Sequence, residues 1–354
     1  MEFADKPPGL DFLKTRKPKV VSVSQESLVK IAPGAAGWPP VVEPSVESLS
    51  LAQWAANNRE FVTSRLRQHG ALLFRGFEVA ALAQFAEFAA AVSPELIAYG
   101  ERSSPRTSLG GGVYTSTDHP PDQPIVLHNE QSYTFNWPMK IFFYCVQPAR
   151  ERGRTPIADS RKIYARLPRE LVERFEARQV LYVRNYGDGL GLPWQEVFQT
   201  DSEAVVEEYC RETAIECVWK PGGRLQTRQV RPAVRRHPAT GETIWFNHAY
   251  FFHVSSLAEG ARAALLAAMD EEELPFNTYY GDGAPFEPQT LETIRQAYDA
   301  ETVSFEWQPR DVLLLDNMLT AHGREPFVGP RKIAVIMSEP FASRGGAGES
   351  PAAA

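Results

Sequence analysis

The chain has 354 residues, and its 43% hydrophobic and 11% aromatic side chains suffice for a sizeable core in one large or two small domains. Its formal net charge of −7 argues against a nucleic-acid-binding protein, which needs a basic face. No apolar run reaches the length that crosses a bilayer, and residues 1–19 lack the apolar segment of a secretory signal, so we expect a cytoplasmic protein without a membrane partner.

The cysteines favour the same compartment. Cys145, Cys210 and Cys217 form no C-x2-C pair and leave one odd, which is typical of buried thiols in a reducing cytosol. A disulfide between Cys210 and Cys217 is the alternative, and burial is the preferred interpretation.

The N-terminal half of the chain alternates helices with short strands. Residues 49–68 have helical spacing and end before Gly70, a glycine of the kind that caps helix C-termini. A strand is predicted at 71–77 and a helix at 79–92. Residues 99–124 form a loop rich in Gly and Pro. No helix with Lys-Ser or Lys-Thr follows the glycines, so a lid or active-site wall is favoured over a phosphate site.

The remaining elements are helices set among strands. The predicted strands are 139–146, 179–186, 217–219, 225–231, 244–247, 311–317 and 331–337. The predicted helices are 163–177, 202–213, 257–269 and 288–298. Because strands and helices do not alternate at the spacing of a βαβ unit, the pattern favours an α+β fold over a Rossmann sheet.

The motif that indicates chemistry is His128-Asn129-Glu130, which follows the apolar segment 124–127. On a strand, residues two apart face the same side, so His128 and Glu130 are expected to converge. Two imidazoles and one carboxylate on one side of a metal form the facial triad of non-haem Fe(II) oxygenases. For the tripeptide alone, chance is the simpler explanation, and a second histidine is needed.

His322 is the candidate for that second imidazole. It follows the apolar strand 311–317, stands in a predicted turn at 320–327, and precedes the strand 331–337. His128 and His322 are far apart in sequence, so a shared metal requires two distant strands to meet. The two sheets of a jelly roll achieve this when they close over a common cavity.

These motifs, taken in order, resemble the TauD/TfdA family of Fe(II)- and 2-oxoglutarate-dependent dioxygenases. Within it, the sequence is most similar to the branch of the syringomycin-pathway aspartyl hydroxylase, with clavaminate synthase and asparagine oxygenase more distant. The resemblance covers roughly residues 70–340. It rests on the blocks ALLFRGF at 71–77, GGVYTST at 111–117, LHNEQSY at 127–133, GRTP at 153–156, RNYG at 184–187, WQEVF at 194–198 and AHGR at 321–324.

The resemblance implies an α+β fold whose core is a double-stranded β-helix, or jelly roll, with flanking helices. We expect one such domain over residues 26–342, between a flexible N-terminal segment 1–25 and a disordered tail 343–354. The resemblance also implies the cofactors, which are Fe(II), 2-oxoglutarate as cosubstrate, and O2.

Site residues follow from the same resemblance. It implies that His128, Glu130 and His322 hold the iron, and that Thr155 and Arg331 bind the distal carboxylate of 2-oxoglutarate, a task that suits a bidentate guanidinium. Neighbouring strand residues face opposite ways, and Lys332 is therefore the alternative to Arg331. A third cation, Arg324, stands in the predicted turn.

The implied activity is hydroxylation, or another oxidation, of an unactivated C–H bond in an amino acid, free or tethered to a carrier protein, in natural-product biosynthesis. The intact Glu130 favours oxygen insertion, since related halogenases replace this carboxylate. One alternative is the same iron chemistry on a sulfonate or other small acid. Others are a zinc hydrolase with the same His2Glu set, which leaves Arg331 and Thr155 without a task, and a metal-free jelly-roll binding protein.

The substrate-binding residues are the least determined by the sequence, and loop-anchoring ion pairs explain the arginines among them equally well. The candidates are Arg102, Arg106, Tyr114, Thr115, Ser116, Trp245, Phe246 and Asn247, with His248 and His253 assigned to either the pocket border or the aromatic core. Docking to an acidic carrier protein requires a basic patch, for which the candidates are Arg228, Arg231, Arg235 and Arg236. A homo-oligomer is left open.

Overall fold

A computed structural model describes residues 28–342 apart from 35, 98–106, 117–118, 188 and 190. The strands are β1 (Val29–Ala32), β2 (Val41–Pro44), β3 (Ala71–Phe74), β4 (Ser108–Gly110), β5 (Val113–Thr115), β6 (Ile125–His128), β7 (Asn136–Gln147), β8 (Glu151–Arg152), β9 (Ile157–Asp159), β10 (Val180–Tyr186), β11 (Glu216–Lys220), β12 (Arg224–Arg231), β13 (Val234–Arg236), β14 (Thr243–Trp245), β15 (Phe276–Tyr280), β16 (Val312–Asp316), β17 (Thr320–Arg324), β18 (Phe327–Val328) and β19 (Lys332–Ala342). The helices are α1 (Leu51–Asn57), α2 (Arg59–His69), α3 (Leu82–Val92), α4 (Ser160–Arg166), α5 (Arg169–Arg178), α6 (Trp194–Phe198), α7 (Glu203–Glu212), α8 (Glu259–Ala268) and α9 (Pro288–Glu301).

The largest sheet has the order β1-β2-β3-β16-β7-β19-β5-β4 and is centred on β7. Ile141 of β7 pairs with Leu315 on one side and Met337 on the other. Because side chains alternate along a strand, β7 sends Phe142 to one face of the sheet and Phe143 to the other. Both faces are buried, as the continuous apolar sequence of β7 requires.

A layer formed by helices α1, α2 and α3 covers the first face. Phe85 of α3 stacks on Tyr144 at a ring-centroid distance of 5.2 Å, and Phe88 meets Phe142 edge-on at 5.7 Å. Trp54 of α1 is 1% exposed within the same core. Burial of aromatic side chains of this size fixes the helices against the sheet.

A second, three-stranded sheet of order β6-β17-β9 covers the other face. Ile157 of β9 shares a core with Phe143 and Val335, which point down from the large sheet. The ring of Phe143 lies 5.1 Å from the ring of His322 on β17. The two sheets therefore face each other, and the candidate site lies between them.

A third sheet, of order β11-β12-β10-β15, extends the molecule on the side of α5 and α7. Its strand β10 is buried along its whole length and packs through Tyr182 against Phe252. Phe175 of α5 contacts Trp245 and Tyr280, each at a centroid distance just above 5 Å. The described residues thus combine helices with sheets as the α+β prediction requires, and none of their helices is long and apolar enough to cross a membrane.

The structure corrects four of the predicted elements. The loop predicted at 99–124 contains two short strands, β4 and β5, among its described residues. The single helix predicted at 49–68 is two helices, because Asn58 leaves helical geometry with φ −128° and its side-chain amide donates to the carbonyl oxygen of Trp54. The helix predicted at 163–177 breaks before Pro168. The turn predicted at 320–327 begins with a buried strand, β17.

Other predictions are confirmed or lie outside the described residues. Gly70 ends α2 in the left-handed conformation with φ 74°. Cys145 and Cys210 are buried and all three cysteines are free, so the disulfide alternative is wrong. The predicted flexible segment 1–25 and tail 343–354 lie outside the described residues.

Candidate metal and cosubstrate site

Strands β6 and β17 bring the two imidazoles together. His128 is the last residue of β6 and pairs in register with His322 of β17, with ring centroids 4.6 Å apart. Between His322 and Arg324, the strands approach so closely that a Cβ on Gly323 would lie 2.5 Å from the carbonyl oxygen of Ile125. Only glycine permits this approach, which explains the H-G-R sequence.

Glu130 completes the cluster from a turn and not from a strand. Strand β6 ends at His128, so the prediction that strand alternation brings His128 and Glu130 together is wrong. The turn nevertheless places one ligand atom from each of His128, Glu130 and His322 within 4.8 Å of one another. Glu130 is 3% exposed and His322 is 5% exposed. A buried carboxylate beside two imidazoles requires a compensating charge.

The hydrogen bonding of His128 fits a metal ligand. Its Nδ1 lies 2.9 Å from the carbonyl oxygen of Val126. A carbonyl only accepts, so Nδ1 carries the proton and Nε2 keeps a lone pair for a metal. The ring is held by Phe251, which stacks on it at 4.4 Å. Two histidines and one carboxylate on one side suit Fe(II), and the donor set therefore fits the metal that the resemblance implies.

Asn317, directly after β16, holds the main chain of Glu130 in place. The amide N–H of Glu130 donates to Asn317 Oδ1 at 2.8 Å, and Asn317 Nδ2 donates to the carbonyl oxygens of Glu130 at 2.9 Å and Pro138 at 2.8 Å. The backbone carbonyl of Asn317 also accepts from Asn129 Nδ2 at 2.7 Å. The sequence analysis assigned no role to Asn317, and its position after a buried strand was the available signal.

A buried pair supports the turn that carries Asn317. His237 Nδ1 accepts from the main-chain N–H groups of Ala239 and Thr240, so its Nε2 carries the proton and donates to Asp316 Oδ2 at 3.1 Å. Asp316 Oδ1 accepts from the main-chain N–H of Met318 at 3.1 Å. The H-P-x-T-G sequence at 237–241 forms a turn, and this turn fixes the tautomer of a buried histidine.

His248 lies behind the metal-binding cluster. It is 1% exposed, its Nε2 donates to the carbonyl oxygen of Asn129 at 2.9 Å, and its ring lies 5.7 Å from that of His128. Burial, and secondly the neighbouring His128, lower the pKa of His248 well below its usual value. His248 is therefore a neutral residue of the aromatic core.

A pocket opens beside His128 and His322. Its polar wall consists of Ser116, Thr155, Arg324 and Arg331, and its apolar wall includes Phe143, Ile333 and Val335. No carboxylate among the described residues forms an ion pair with Arg324 or Arg331. A partly buried pair of guanidinium groups in a metal-side pocket fits an anionic ligand such as the distal carboxylate of 2-oxoglutarate.

Arg331 is oriented by the segment 153–156, which connects β8 to β9. Its Nε donates to the carbonyl oxygen of Gly153 at 2.9 Å and its Nη2 to Thr155 Oγ1 at 3.4 Å. Trp307 Nε1 also donates to Thr155 Oγ1 at 3.0 Å, so the threonine hydroxyl has its own hydrogen left to donate. Burial, and secondly the charge of Arg324, lower the pKa of Arg331 to about 10, which leaves it protonated at neutral pH. Lys332 is exposed and does not line the pocket.

The structure separates the remaining substrate candidates. Ser116 lines the pocket, and Tyr114 and Thr115 belong to β5. Trp245 and Phe246 are fully buried in the cores and do not line the pocket. Arg102 and Arg106 lie outside the described residues.

Two further sets were singled out in the sequence. Asn247 donates to the carbonyl oxygen of Ala233, and His253 Nδ1 contacts Ser255. In the proposed basic patch, Arg231 is buried and donates to the carbonyl oxygen of Thr213 at 2.6 Å. The patch therefore does not present four exposed arginines to a partner.

Comparison with known proteins gives consistent similarities. Residues 33–337 match the family described as "Taurine catabolism dioxygenase TauD, TfdA family". The dapdiamide synthesis protein DdaC of Enterobacter agglomerans is 39% identical over 275 residues, which are 78% of this chain and 84% of that protein. A clavaminate synthase-like protein of Arabidopsis thaliana is 30% identical over 309 residues, which are 83% of this chain and 90% of that protein.

Among solved structures, PvcB of Pseudomonas aeruginosa has a similar fold. It is described as an Fe, alpha-ketoglutarate dependent oxygenase from an isonitrile synthetic pathway. The alignment has a TM-score of 0.55 and 16% identity, and it covers 89% of this chain and 94% of PvcB. At this identity the similarity shows a shared fold.

Proposed function

The chain belongs to the TauD/TfdA family and is a non-haem Fe(II)- and 2-oxoglutarate-dependent dioxygenase, and from that premise we propose that it hydroxylates an unactivated C–H bond of an amino acid, free or tethered to a carrier protein. The family, enzyme class and cofactors predicted from the sequence are thus confirmed, with O2 as the second cosubstrate. The family gives no support to a zinc hydrolase, and the cluster of His128, Glu130 and His322 argues against a metal-free binding protein.

The proposal assigns the metal to His128, Glu130 and His322, and the distal carboxylate of 2-oxoglutarate to Arg331 and Thr155. The observation that carries the assignment is the approach of three ligand atoms to within 4.8 Å of one another, beside a pocket whose two guanidinium groups pair with no carboxylate among the described residues. With the cofactors bound, 2-oxoglutarate and O2 become succinate and CO2, and one oxygen atom remains on the substrate carbon as a hydroxyl group.

The residues of this chain bind the metal, orient the cosubstrate and exclude water from the site. His128 is held in the Nδ1-protonated tautomer, so Nε2 is the nitrogen that would bind the metal. Arg331 and Thr155 set the direction of the cosubstrate, because a bidentate cation and a hydroxyl donor define one carboxylate position. Phe143 and Val335 form an apolar wall that keeps water away from the reacting groups.

For the fold, we infer that residues 26–342 form one domain with a double-stranded β-helix core. The support is the packing of Ile157 from the small sheet against Phe143 and Val335 from the large sheet. Two sheets that face each other across such a core, with the site between them, match the jelly-roll arrangement.

The substrate class is supported by the relatives. DdaC is described as a dapdiamide synthesis protein, so a natural-product pathway is the context that we propose for this chain as well. Glu130 is intact and buried, so the metal keeps its carboxylate ligand and hydroxylation is proposed over halogenation. The basic patch offers only partial support for docking to a carrier protein.

The proposal is tested by a substrate screen. Free amino acids, their carrier-protein thioesters, sulfonates and aryloxy acids are incubated with the Fe(II)-loaded protein, 2-oxoglutarate and O2. We expect one amino-acid compound to stimulate succinate formation and to gain the mass of one oxygen atom. Stimulation by a sulfonate or an aryloxy acid, and by no amino-acid compound, would overturn the substrate class while leaving the enzyme class in place.

A further inference from the structure

Arg324 lines the same pocket as Arg331 but holds a different part of the chain. It is 6% exposed and, like His322 on the same strand β17, it lines the pocket. Its Nη1 donates to the carbonyl oxygen of His119 at 2.9 Å. Its Nη2 donates to the carbonyl oxygens of Pro120 at 2.5 Å and Gln123 at 2.8 Å. These bonds attach residues 119–123 to the pocket.

One donor of Arg324 is left over. Its Nε–H is buried and has no hydrogen-bond partner among the described residues. A buried N–H without an acceptor is unfavourable, and more so when the group is charged. Arg324 also has no carboxylate partner within the described part of the chain, so no anionic side chain there balances its charge. Both deficits would be relieved by an anion in the pocket.

Phe327 connects the two arginines. The guanidinium of Arg324 lies 5.1 Å from the centroid of the Phe327 ring, and that of Arg331 lies 5.7 Å from the same centroid. The aromatic face stabilises both cations. The ring thus allows two like charges to share one pocket, which otherwise would be unfavourable at short range.

We propose that Arg324 is a second recognition residue for the distal carboxylate of 2-oxoglutarate, which accepts from its Nε–H while Arg331 and Thr155 hold the same carboxylate from the other side. This inference rests on the proposed assignment of the pocket to the cosubstrate. With two cations at the distal end, the pocket selects a dicarboxylic 2-oxo acid over a monocarboxylic one. The Nη groups of Arg324 stay on the carbonyl oxygens of residues 119–123, so the two functions of the side chain are compatible.

The test compares 2-oxoglutarate with pyruvate, which chelates the metal through the same 2-oxo acid group but lacks the distal carboxylate. Dissociation constants for both are measured anaerobically on the Fe(II)-loaded protein from the visible band of the chelate. In Arg324→Met we expect the constant for 2-oxoglutarate to rise about tenfold or more, as for a lost charge-assisted hydrogen bond, and that for pyruvate to change less than about twofold.

Two other variants make the result decisive. Arg324→Lys keeps the charge without Nε, so we expect a smaller loss of 2-oxoglutarate binding than in Arg324→Met. Arg154→Met removes an exposed arginine that pairs with Glu306, and it should leave both constants unchanged.

Each outcome distinguishes the inference from its premise. If the dissociation constants of 2-oxoglutarate and pyruvate rise equally in Arg324→Met and Arg324→Lys, Arg324 serves only the structure of the loop. If the constant for 2-oxoglutarate is unchanged, Arg324 does not bind the cosubstrate. Either result overturns the inference. Absence of the chelate band in the wild-type protein with both ligands would instead overturn the assignment of the pocket to the cosubstrate.

Discussion

The two sides of the candidate site differ in where their polar groups find partners. On the side of Glu130, the side chain of Asn317 has all its donors and its acceptor bonded within the protein. On the pocket side, Arg324 and Arg331 donate to backbone carbonyl oxygens and, within the described residues, pair with no carboxylate. The first arrangement is complete without a ligand and fixes geometry. The second is electrostatically incomplete and indicates an anion.

This difference separates the expected effects of mutation. Changes in the network around Asn317 should weaken metal binding, since that network positions a ligand without touching the cosubstrate. Changes in the arginine pocket should weaken 2-oxoglutarate binding and leave the metal in place. Each variant below is therefore measured with both ligands.

The largest effect is expected from the metal ligands themselves. Outer partners of a ligand contribute about 10–100-fold to metal affinity, so loss of a ligand in Glu130→Ala or His322→Ala should exceed about 100-fold. Titration calorimetry with Mn(II) measures this on protein whose folding is checked by circular dichroism. Wild-type affinity in either folded variant would remove that residue from the metal site.

The second effect concerns Asn317. Asn317→Ala deletes the clamp on the main chain of Glu130, and Asn317→Asp keeps the shape but lacks both donors. We expect metal affinity to fall about 10–100-fold in both, with a loss of about 1–3 kcal/mol in the free energy of unfolding. Asn57→Ala, which removes an exposed helical asparagine on α1, is the matched control. A loss of stability with metal affinity intact would make Asn317 purely structural.

The third effect belongs to the other side of the site. Arg331→Leu should raise the dissociation constant of 2-oxoglutarate roughly 30-fold or more while metal affinity stays within about twofold. Lys332→Leu is the matched control, because Lys332 is the adjacent cation and is exposed. If Lys332→Leu weakens the binding of 2-oxoglutarate and Arg331→Leu does not, the choice of Arg331 over Lys332 is wrong.

The smallest effect is expected at Phe251, which stacks on His128 at 4.4 Å. An aromatic pair contributes about 0.5–1.5 kcal/mol beyond its buried area, so Phe251→Leu should weaken metal binding about two- to tenfold. Phe61→Leu removes an aromatic contact with Trp54 in the helical layer and should leave the metal affinity unchanged. Equal effects of the two substitutions on metal affinity would contradict a specific role for Phe251.

Features that depend on local sequence could be predicted, whereas features that depend on contacts between distant residues could not. The H-x-E motif and the H-G-R sequence are local signals among the blocks on which the family resemblance rests, and the family, enzyme class and cofactors that the resemblance implied are confirmed. The network of Asn317 depends on a contact between residues 187 positions apart, which no local pattern reveals. The five assigned site residues stay a prediction, to which the structure adds their proximity.

One wrong prediction and one open choice have physical reasons. Gly323 and Pro326 predict a turn because glycine and proline often end regular structure, yet Gly323 stands in a strand whose neighbour passes too close for a side chain. The choice between Arg331 and Lys332 was open because strand alternation needs a fixed register. The pairing of β19 with β7 is irregular between Lys332 and Ile333, so alternation does not extend through this point.

The central claim is that His128, Glu130 and His322 hold Fe(II) where the arginine pocket delivers 2-oxoglutarate. Anaerobic titration of the apoprotein with Fe(II) and 2-oxoglutarate tests it most directly, through the weak visible charge-transfer band of the chelate. The account predicts the band in the wild-type protein and its loss in the double variant Glu130→Ala, His322→Ala. Absence of the band in folded wild-type protein, or its survival unchanged in the double variant, would contradict the account.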